Sequence, residues 1–320
     1  MSEIMNNQTL EQEQPVQPKK KYERDLKDRV NDVVKHAIGV VLLLYSLTLL
    51  IPIAWMLINS FKTYVEYYQT TAFEFPQALR FDNYSFILKN FHYTVNSRDG
   101  TGKITYTLPW MFLYSAIWAI APTLFRTLVT TMCAYVIAKY KFPGRDFIYN
   151  FGIVMMILPI IGSGGAGMIL KRSLGVYNNM FMMIITNASG AFAGMHFMML
   201  HAAFKGIPWE YAEAVFIDGG GHLRVFTTIM MPMIMPTVWV IVLLGVISGW
   251  NDYSTFLMWL PSYANIAIGI YKFQYNRIEM GTTMPQILAS FVLVSMPIVI
   301  LYVSVQKIIT SNYMIGGLKG

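Results

Sequence analysis

The chain has 320 residues, of which 55% are hydrophobic and only 13% charged, with a formal net charge of +7. Soluble domains carry about a quarter charged residues, so half that share, gathered into short stretches between long apolar runs, excludes a soluble globular protein. No basic stripe with interleaved aromatics occurs, which excludes nucleic-acid binding and leaves the positive charge to membrane topology and anionic lipid.

Residues 1–18 are rich in Gln, Asn and Glu and read as a disordered tail. Residues 20–35 mix both charge signs at helical spacing and predict an amphipathic helix at the inner membrane surface, closing a first unit of 1–35. Uncharged runs follow at 36–61, 104–125, 147–170, 173–200, 225–251 and 280–306, and about 20 apolar residues suffice to cross the hydrocarbon. The sequence therefore predicts an all-α integral membrane protein with six transmembrane helices over 36–320, without internal repeats. The first run is too long for a signal peptide and lacks a small-x-small cleavage site near Ile58 to Lys62, so it is expected to stay in the mature chain. The loop 62–108, with Phe75-Pro76 and Gly100-x-Gly102, predicts a small ordered cap. The glycine cluster from Gly162 to Gly167 predicts a flexible break at the outer end of the third span; it lacks the Gly-Lys-Ser/Thr that would hold phosphate and magnesium.

Orientation follows from Lys and Arg. With six crossings, fourteen basic residues, Lys19 to Lys35, Lys139, Lys141, Arg145, Lys205, Arg224, Lys307 and Lys319 among them, fall on one side and nine on the other. The richer side is cytoplasmic, which places both termini and the loop 205–232 inside. Arg126 interrupts the second span near mid-bilayer, where a charge costs at least ~2.5 kcal/mol and must face protein or water. It either lines a polar path and bonds cargo hydroxyls or is satisfied by helix-end carbonyls or a neighbouring chain. Trp250 and Asn251 close the fifth span, either stacking on and bonding a sugar ring or anchoring the helix at the interface, where Trp is common.

Loop 205–232 is a polar hairpin set in membrane sequence. Pro208 suits the first position of a helix, and Glu210 and Glu213 suit the positive end of its dipole, predicting a short helix from about 208 to 217. Ala212, Val215 and Phe216 share one face, with Glu210, Glu213 and Asp218 on the flanks. Gly219, Gly220 and Gly221 then permit a sharp turn into a second short helix near His222. In the order Glu213-Ala214-Val215, Gly219, Ile229-Met230-Met231-Pro232, this segment resembles the EAA coupling loop of ABC importer permeases. It departs from the family pattern at Val215, where Ala is usual, and at Met231, where Leu is usual.

Further segments are similar, in order, to the carbohydrate-importing, maltose-type branch of that family: Ser60-Phe61-Lys62, Ala134 to Ala138, Phe142-Pro143-Gly144-Arg145, Trp250-Asn251-Asp252 and the terminal Gly316 to Gly320. The resemblance covers roughly residues 36–320. It implies a type I importer fold and a non-enzymatic subunit of a five-part machine in the bacterial inner membrane. A second, non-identical permease, two ATPase subunits and an extracellular sugar-binding protein would be its partners. ATP and magnesium would be bound by the ATPases, with no cofactor in this chain. Glu213, Ala214, Asp218 and Gly219 would sit in an ATPase cleft, and Arg224 would either pair with acidic ATPase residues or remain solvated.

The alternative is an ion-coupled secondary transporter or channel. Such proteins usually hold acidic groups inside the membrane, and none of the six runs contains Asp or Glu. His196 and His201 are five apart and form no HExxH motif, which argues against a metalloprotease. Ser189-Gly190 with His196 would place a serine-protease pair on one helix. The five histidines read as packing or surface residues, and Cys133, alone in an apolar stretch, reads as packed.

Overall fold

The computed structural model describes residues 26–158, 163–275 and 281–313. The expected tail, most of the basic stretch before Leu26, Pro159, Gly162, Arg277 and the terminal segment from Gly316 lie outside the described residues. Residues up to Ala54 form one unit and Trp55 onward another. Helix α1 (Leu26–Ser60) has no break at residue 35, so the expected surface helix and first span are one helix. Its stretch Val30–Ser60 is long enough to cross a membrane, with side chains exposed along most of its length.

The second unit begins with a polar knot. Lys62, fully buried, donates from Nζ to Thr70 Oγ1 (3.0 Å) and the Thr71 carbonyl (3.1 Å). Asn83 Nδ2 donates to the carbonyls of Ser60 and Lys62, and Ser60 Oγ bonds the Tyr84 hydroxyl. Ser60-Phe61-Lys62 therefore fastens the cap to the helix end, because a buried cation must be hydrogen-bonded. The cap holds α2 (Tyr64–Gln69), started by a Thr63–Glu66 capping box, and α3 (Asp82–Asn90). An antiparallel hairpin follows, β1 (His92–Asn96) with β2 (Lys103–Thr107), in the register His92 to Thr107 through Asn96 to Lys103. At its turn Asp99 accepts hydrogen bonds from Ser97 Oγ and Thr101 N, which hold its carboxyl down at about 2.

Helix α4 (Leu108–Lys139) runs the length of the bundle. Helices α5 (Arg145–Ile157), α6 (Ser163–Ser173), α7 (Met180–Thr186) and α8 (Met195–Lys205) follow. Next come α9 (Glu210–Ile217) and a continuous rod made of α10 (His222–Arg224), a π-helical segment Val225–Met230 and α11 (Met231–Trp250). The chain closes with α12 (Ser254–Met258), α13 (Ile266–Tyr275) and α14 (Met284–Tyr313). The π segment has a local cause: Pro232 has no N–H to continue the ladder and its ring displaces the carbonyl four residues earlier, so the helix widens before it.

Among the described residues four helices are long and apolar enough to cross a membrane: Val30–Ser60, Leu108–Lys139, His222–Trp250 and Met284–Ser304. The stretches expected as the third and fourth spans, 147–170 and 173–200, are divided between short helices, α5 and α6 in the first and α7 and α8 in the second. Within 173–200 left-handed residues break the chain, Gly175 (φ 67°) and Asn178 (φ 57°) between α6 and α7, and Gly190 (φ 77°) and Gly194 (φ 97°) between α7 and α8. Hydropathy cannot register such breaks, since glycine is apolar by composition while its backbone leaves the helix. Conversely, Gly164, Gly165 and Gly167 lie inside α6, so the expected flexible break is helical over its described part.

Two apolar cores lie at opposite ends of α4. At the hairpin end, Ile87, Phe91, Tyr106, Leu108, Met111 and Trp118 pack with Phe256, Leu260, Ile266 and Phe273. At the other end, Ala134, Tyr135 and Ile137 pack with Phe197, Leu200, Phe204, Ala212, Val225, Met230 and Ile234; half-buried Cys133 packs there, as expected. Between them α11 meets α4 at very close range through Gly245 and Gly249. A Cβ at Gly249 would lie 2.9 Å from Ala119 Cα, and one at Gly245 2.6 Å from Thr123 Cγ2. This small-xxx-small seam lets backbones touch where hydrophobic burial does not distinguish protein from lipid.

Candidate functional site

The elbow between α8 and α11 has the two-faced build its sequence predicts. Ala212 is fully buried, and Val215 and Phe216 pack on the same core. Glu210, Glu213, Ala214, Asp218, Gly219 and Arg224 are exposed. Glu210 and Glu213 occupy the first turn, at the positive end of the dipole. The helix starts two residues after Pro208: Trp209 caps it, its carbonyl accepting from the backbone N–H of Ala212 (2.8 Å) and Glu213 (3.2 Å). The end of α9 is a Schellman motif. Gly219 (φ 77°) donates to the Phe216 carbonyl (3.0 Å) and Gly220 to the Val215 carbonyl (2.8 Å). A Cβ at Gly220 would lie 2.5 Å from Val215 Cγ1, so Gly219 is set by conformation and Gly220 by space. Beyond Gly221 there is no separate short helix as expected. The chain enters the rod that becomes α11, because His222 to Met230 contains no helix breaker.

The sequence reading missed how this elbow is rooted. The Tyr140 hydroxyl bonds both His222 Nδ1 (2.9 Å) and the Tyr135 hydroxyl (3.0 Å). The Tyr140 ring meets Trp209 edge-on (5.7 Å), and Phe216 meets His222 (5.0 Å). Lys139 Nζ donates to the Ile207 carbonyl. Both arms of the elbow are thus tied to the end of α4 by aromatic packing and hydrogen bonds. The exposed tip is also more apolar than its charges suggest, since Ile217 is 85% and Leu223 75% exposed. The only signal in the sequence was that these two side chains fall off the buried face.

Between the two cores lies a cavity of about 290 Å³, lined by Trp118, Thr123, Arg126, Asn187, His196, Ser248 and Asp252 together with Pro122, Ile241 and the glycine seam. Arg126 is exposed to it, about 20 Å along α4 from Lys139 at 1.5 Å per residue. Among the described residues Arg126, Asn187, His196 and Ser248 make no side-chain hydrogen bond or ion pair. Helix-end carbonyls among the described residues therefore do not satisfy Arg126. Asn187 and His196 flank the break between α7 and α8, so non-helical backbone lines a polar cavity, which is where a membrane tolerates it. Of the histidines expected as packing or surface residues, His196 belongs to this wall, and His201 packs, its ring 4.6 Å from that of Tyr149.

Trp250 is 8% exposed and packs against Phe112 (ring centroids 5.9 Å), which argues against an anchor in the lipid interface. Its ring belongs to the core at the hairpin end of α4, where α13 and α14 cover the end of α11. Its Nε1–H has no hydrogen-bond partner and lies beside a second cavity of about 400 Å³, lined by Asn251, Tyr253, Tyr271, Gln274 and Ser295 among others. Tyr253 and Tyr271 stack at 4.8 Å and Tyr271 and Tyr275 at 6.1 Å, forming a short aromatic row. Asn251 is exposed, its Nδ2 donating to the Ile247 carbonyl. Arg126 and Trp250 thus border different cavities.

Residues 126–315 match the family described as binding-protein-dependent transport system inner membrane component. The chain is 28% identical over 226 residues, 71% of its length and 68% of the relative's, to the diacetylchitobiose uptake system permease protein NgcG of Streptomyces coelicolor. It is 23% identical over 311 residues, 92% of its length and all of the relative's, to the polygalacturonan/rhamnogalacturonan transport system permease protein YtcP of Bacillus subtilis. Among solved structures it is similar in fold, with TM-score 0.63 and 22% identity over 88% of this chain and 97% of the other, to a chain of a bacterial ABC transporter involved in the import of the acidic polysaccharide alginate.

Proposed function

Because the chain belongs to the inner membrane components of binding-protein-dependent transport systems, we propose that it is one of two non-identical permease chains of a bacterial importer of sugars or oligosaccharides. Two partner ATPase subunits bind ATP and magnesium and hydrolyse the nucleotide, an extracellular saccharide-binding protein delivers cargo, and this chain carries no cofactor. The elbow and both termini face the cytosol, residues 36–320 form the transport unit, and 1–35 are the cytoplasmic tail and the helical segment leading into the first span. The saccharides named for the relatives support that cargo class.

The observation that carries this reading is the elbow: an exposed tip of Glu213, Ala214, Ile217, Asp218, Gly219, Leu223 and Arg224 on a base packed into the inner core. Charges with no ion-pair partner among the described residues, interleaved with exposed apolar side chains, suit a groove that is itself part apolar and part charged, and the ATPase is the partner assigned to it. When the ATPases close on ATP they draw the tip with them. Since Tyr140, Trp209 and His222 lock the elbow to α4, the displacement passes up α4 to the wall that holds Trp118 and Arg126. Arg126 lines the cargo path, and Trp250 with Asn251 and the tyrosine row form a polar and aromatic station towards the outer face.

Uptake into vesicles holding the full complex tests the proposal. Accumulation of saccharide should require ATP, the ATPases and the loaded receptor together. Transport driven by a sodium or proton gradient alone would overturn it in favour of an ion-coupled carrier.

A further inference from the structure

We propose that the cavity at Arg126 recognises a carboxylate, so that the cargo is an acidic saccharide carrying uronic acid units; this rests on the importer reading above. The guanidinium faces the cavity without a hydrogen bond or ion pair among the described residues. Among the described residues Asp252 is the one carboxylate on the wall, and both of its oxygens are already engaged by neutral donors and not by Arg126. Asp252 Oδ2 accepts from Trp118 Nε1 (3.0 Å), and Oδ1 accepts from Ser254 Oγ (2.9 Å) and Thr255 N (3.0 Å), which holds it against the first turn of α12. Among the described residues Arg126 forms no ion pair, and a cation at this depth without an ion-pair partner is a site for a mobile anion.

The chemistry of the remaining wall selects which anion. Asn187, His196 and Ser248 offer unpaired donors and acceptors beside the guanidinium, which suits hydroxyl groups more than a bare inorganic ion. The planar fork of arginine matches a carboxylate with two parallel bonds, a match that lysine lacks. About 290 Å³ is at the small end of ligand sites and admits a sugar unit at a time. A neutral sugar would leave the charge uncompensated as it passed. A uronate compensates it and, being mobile, takes the compensation along.

The test is direct binding to the permease–ATPase complex in lipid nanodiscs, without the receptor, so that the receptor's own preference drops out. The probes are dimers of galacturonate, glucuronate and mannuronate and the methyl ester of each, which keeps the shape and removes the charge. At least one acid should bind the wild-type complex tenfold or more tightly than its ester, and the gap should narrow as salt is raised. Arg126→Gln should bring acid and ester level, while Arg126→Lys retains part of the preference. Equal binding of every acid and ester by the wild type, binding of none of the acids, or a preference that survives Arg126→Gln would overturn the proposal. Should Arg126→Gln fail to assemble, the wild-type ratio decides alone. ATP-driven uptake of neutral saccharides only would defeat this inference and leave the importer standing, whereas absence of ATP-driven uptake for every saccharide would defeat both.

Discussion

Gly219 holds a backbone conformation that L side chains adopt only at a cost, φ 77°, with no atom within 4 Å of where a Cβ would lie. Conformation and not space is therefore what a substitution offends. Ala should strain the turn by roughly 1–2 kcal/mol, and a β-branched residue should strain it further. Gly219→Val is expected to leave membrane insertion and assembly intact and to lower receptor-stimulated ATP hydrolysis and uptake at least tenfold, with Gly219→Ala between. Normal uptake by the Val variant would remove the elbow tip from the coupling path. This glycine was legible in the sequence because a conformational need selects a residue type. Arg126 was legible as an anomaly, but its surroundings were not, since Asn187, His196 and Ser248 reach it from other helices.

Between elements, the seam of α4 and α11 carries the most stringent requirement. A Cβ at Gly249 would meet Ala119 Cα at 2.9 Å and the Trp118 carbonyl at 3.3 Å, both backbone, whereas one at Gly245 meets the movable side chain of Thr123. Gly249→Leu should force the helices apart and cost about 1–3 kcal/mol, seen as a thermal midpoint of the purified complex lowered by several degrees. Gly245→Ala should cost less. An unchanged midpoint for Gly249→Leu would mean that the two helices do not pack at this range in the membrane. Long helices with uniformly apolar surfaces were readable from hydropathy. The division of 173–200 into short helices was not, because backbone direction at Gly175, Asn178, Gly190 and Gly194 is set by what each segment packs against.

For the whole molecule, the elbow, α4 and the cavity form one mechanical line, and Tyr140 is the joint at its base. Tyr140→Phe removes hydrogen bonds to Tyr135 and His222 worth about 1 kcal/mol each, a modest change. Tyr140→Ala also removes the ring that Trp209 and His222 pack against. The Ala variant should still hydrolyse ATP while the saccharide moved per ATP falls several-fold, measured by paired uptake and phosphate release in the same vesicles. A fall in hydrolysis with an unchanged ratio would place Tyr140 in docking and not in transmission.

By itself the sequence determined that this chain is a helical membrane protein with a glycine-hinged elbow, because hydropathy, charge bias and a left-handed glycine are local properties that act through residue type and spacing. Only the tertiary structure decided that Arg126 lines a cavity without an ion-pair partner among the described residues, that Asp252 is hydrogen-bonded to Trp118 and the start of α12, that Trp250 is buried, and that the elbow is locked to α4 through Tyr140. Each of these depends on which side chains from distant segments meet, and unpaired charge and unsatisfied hydrogen bonds exist only once all the neighbours are in place.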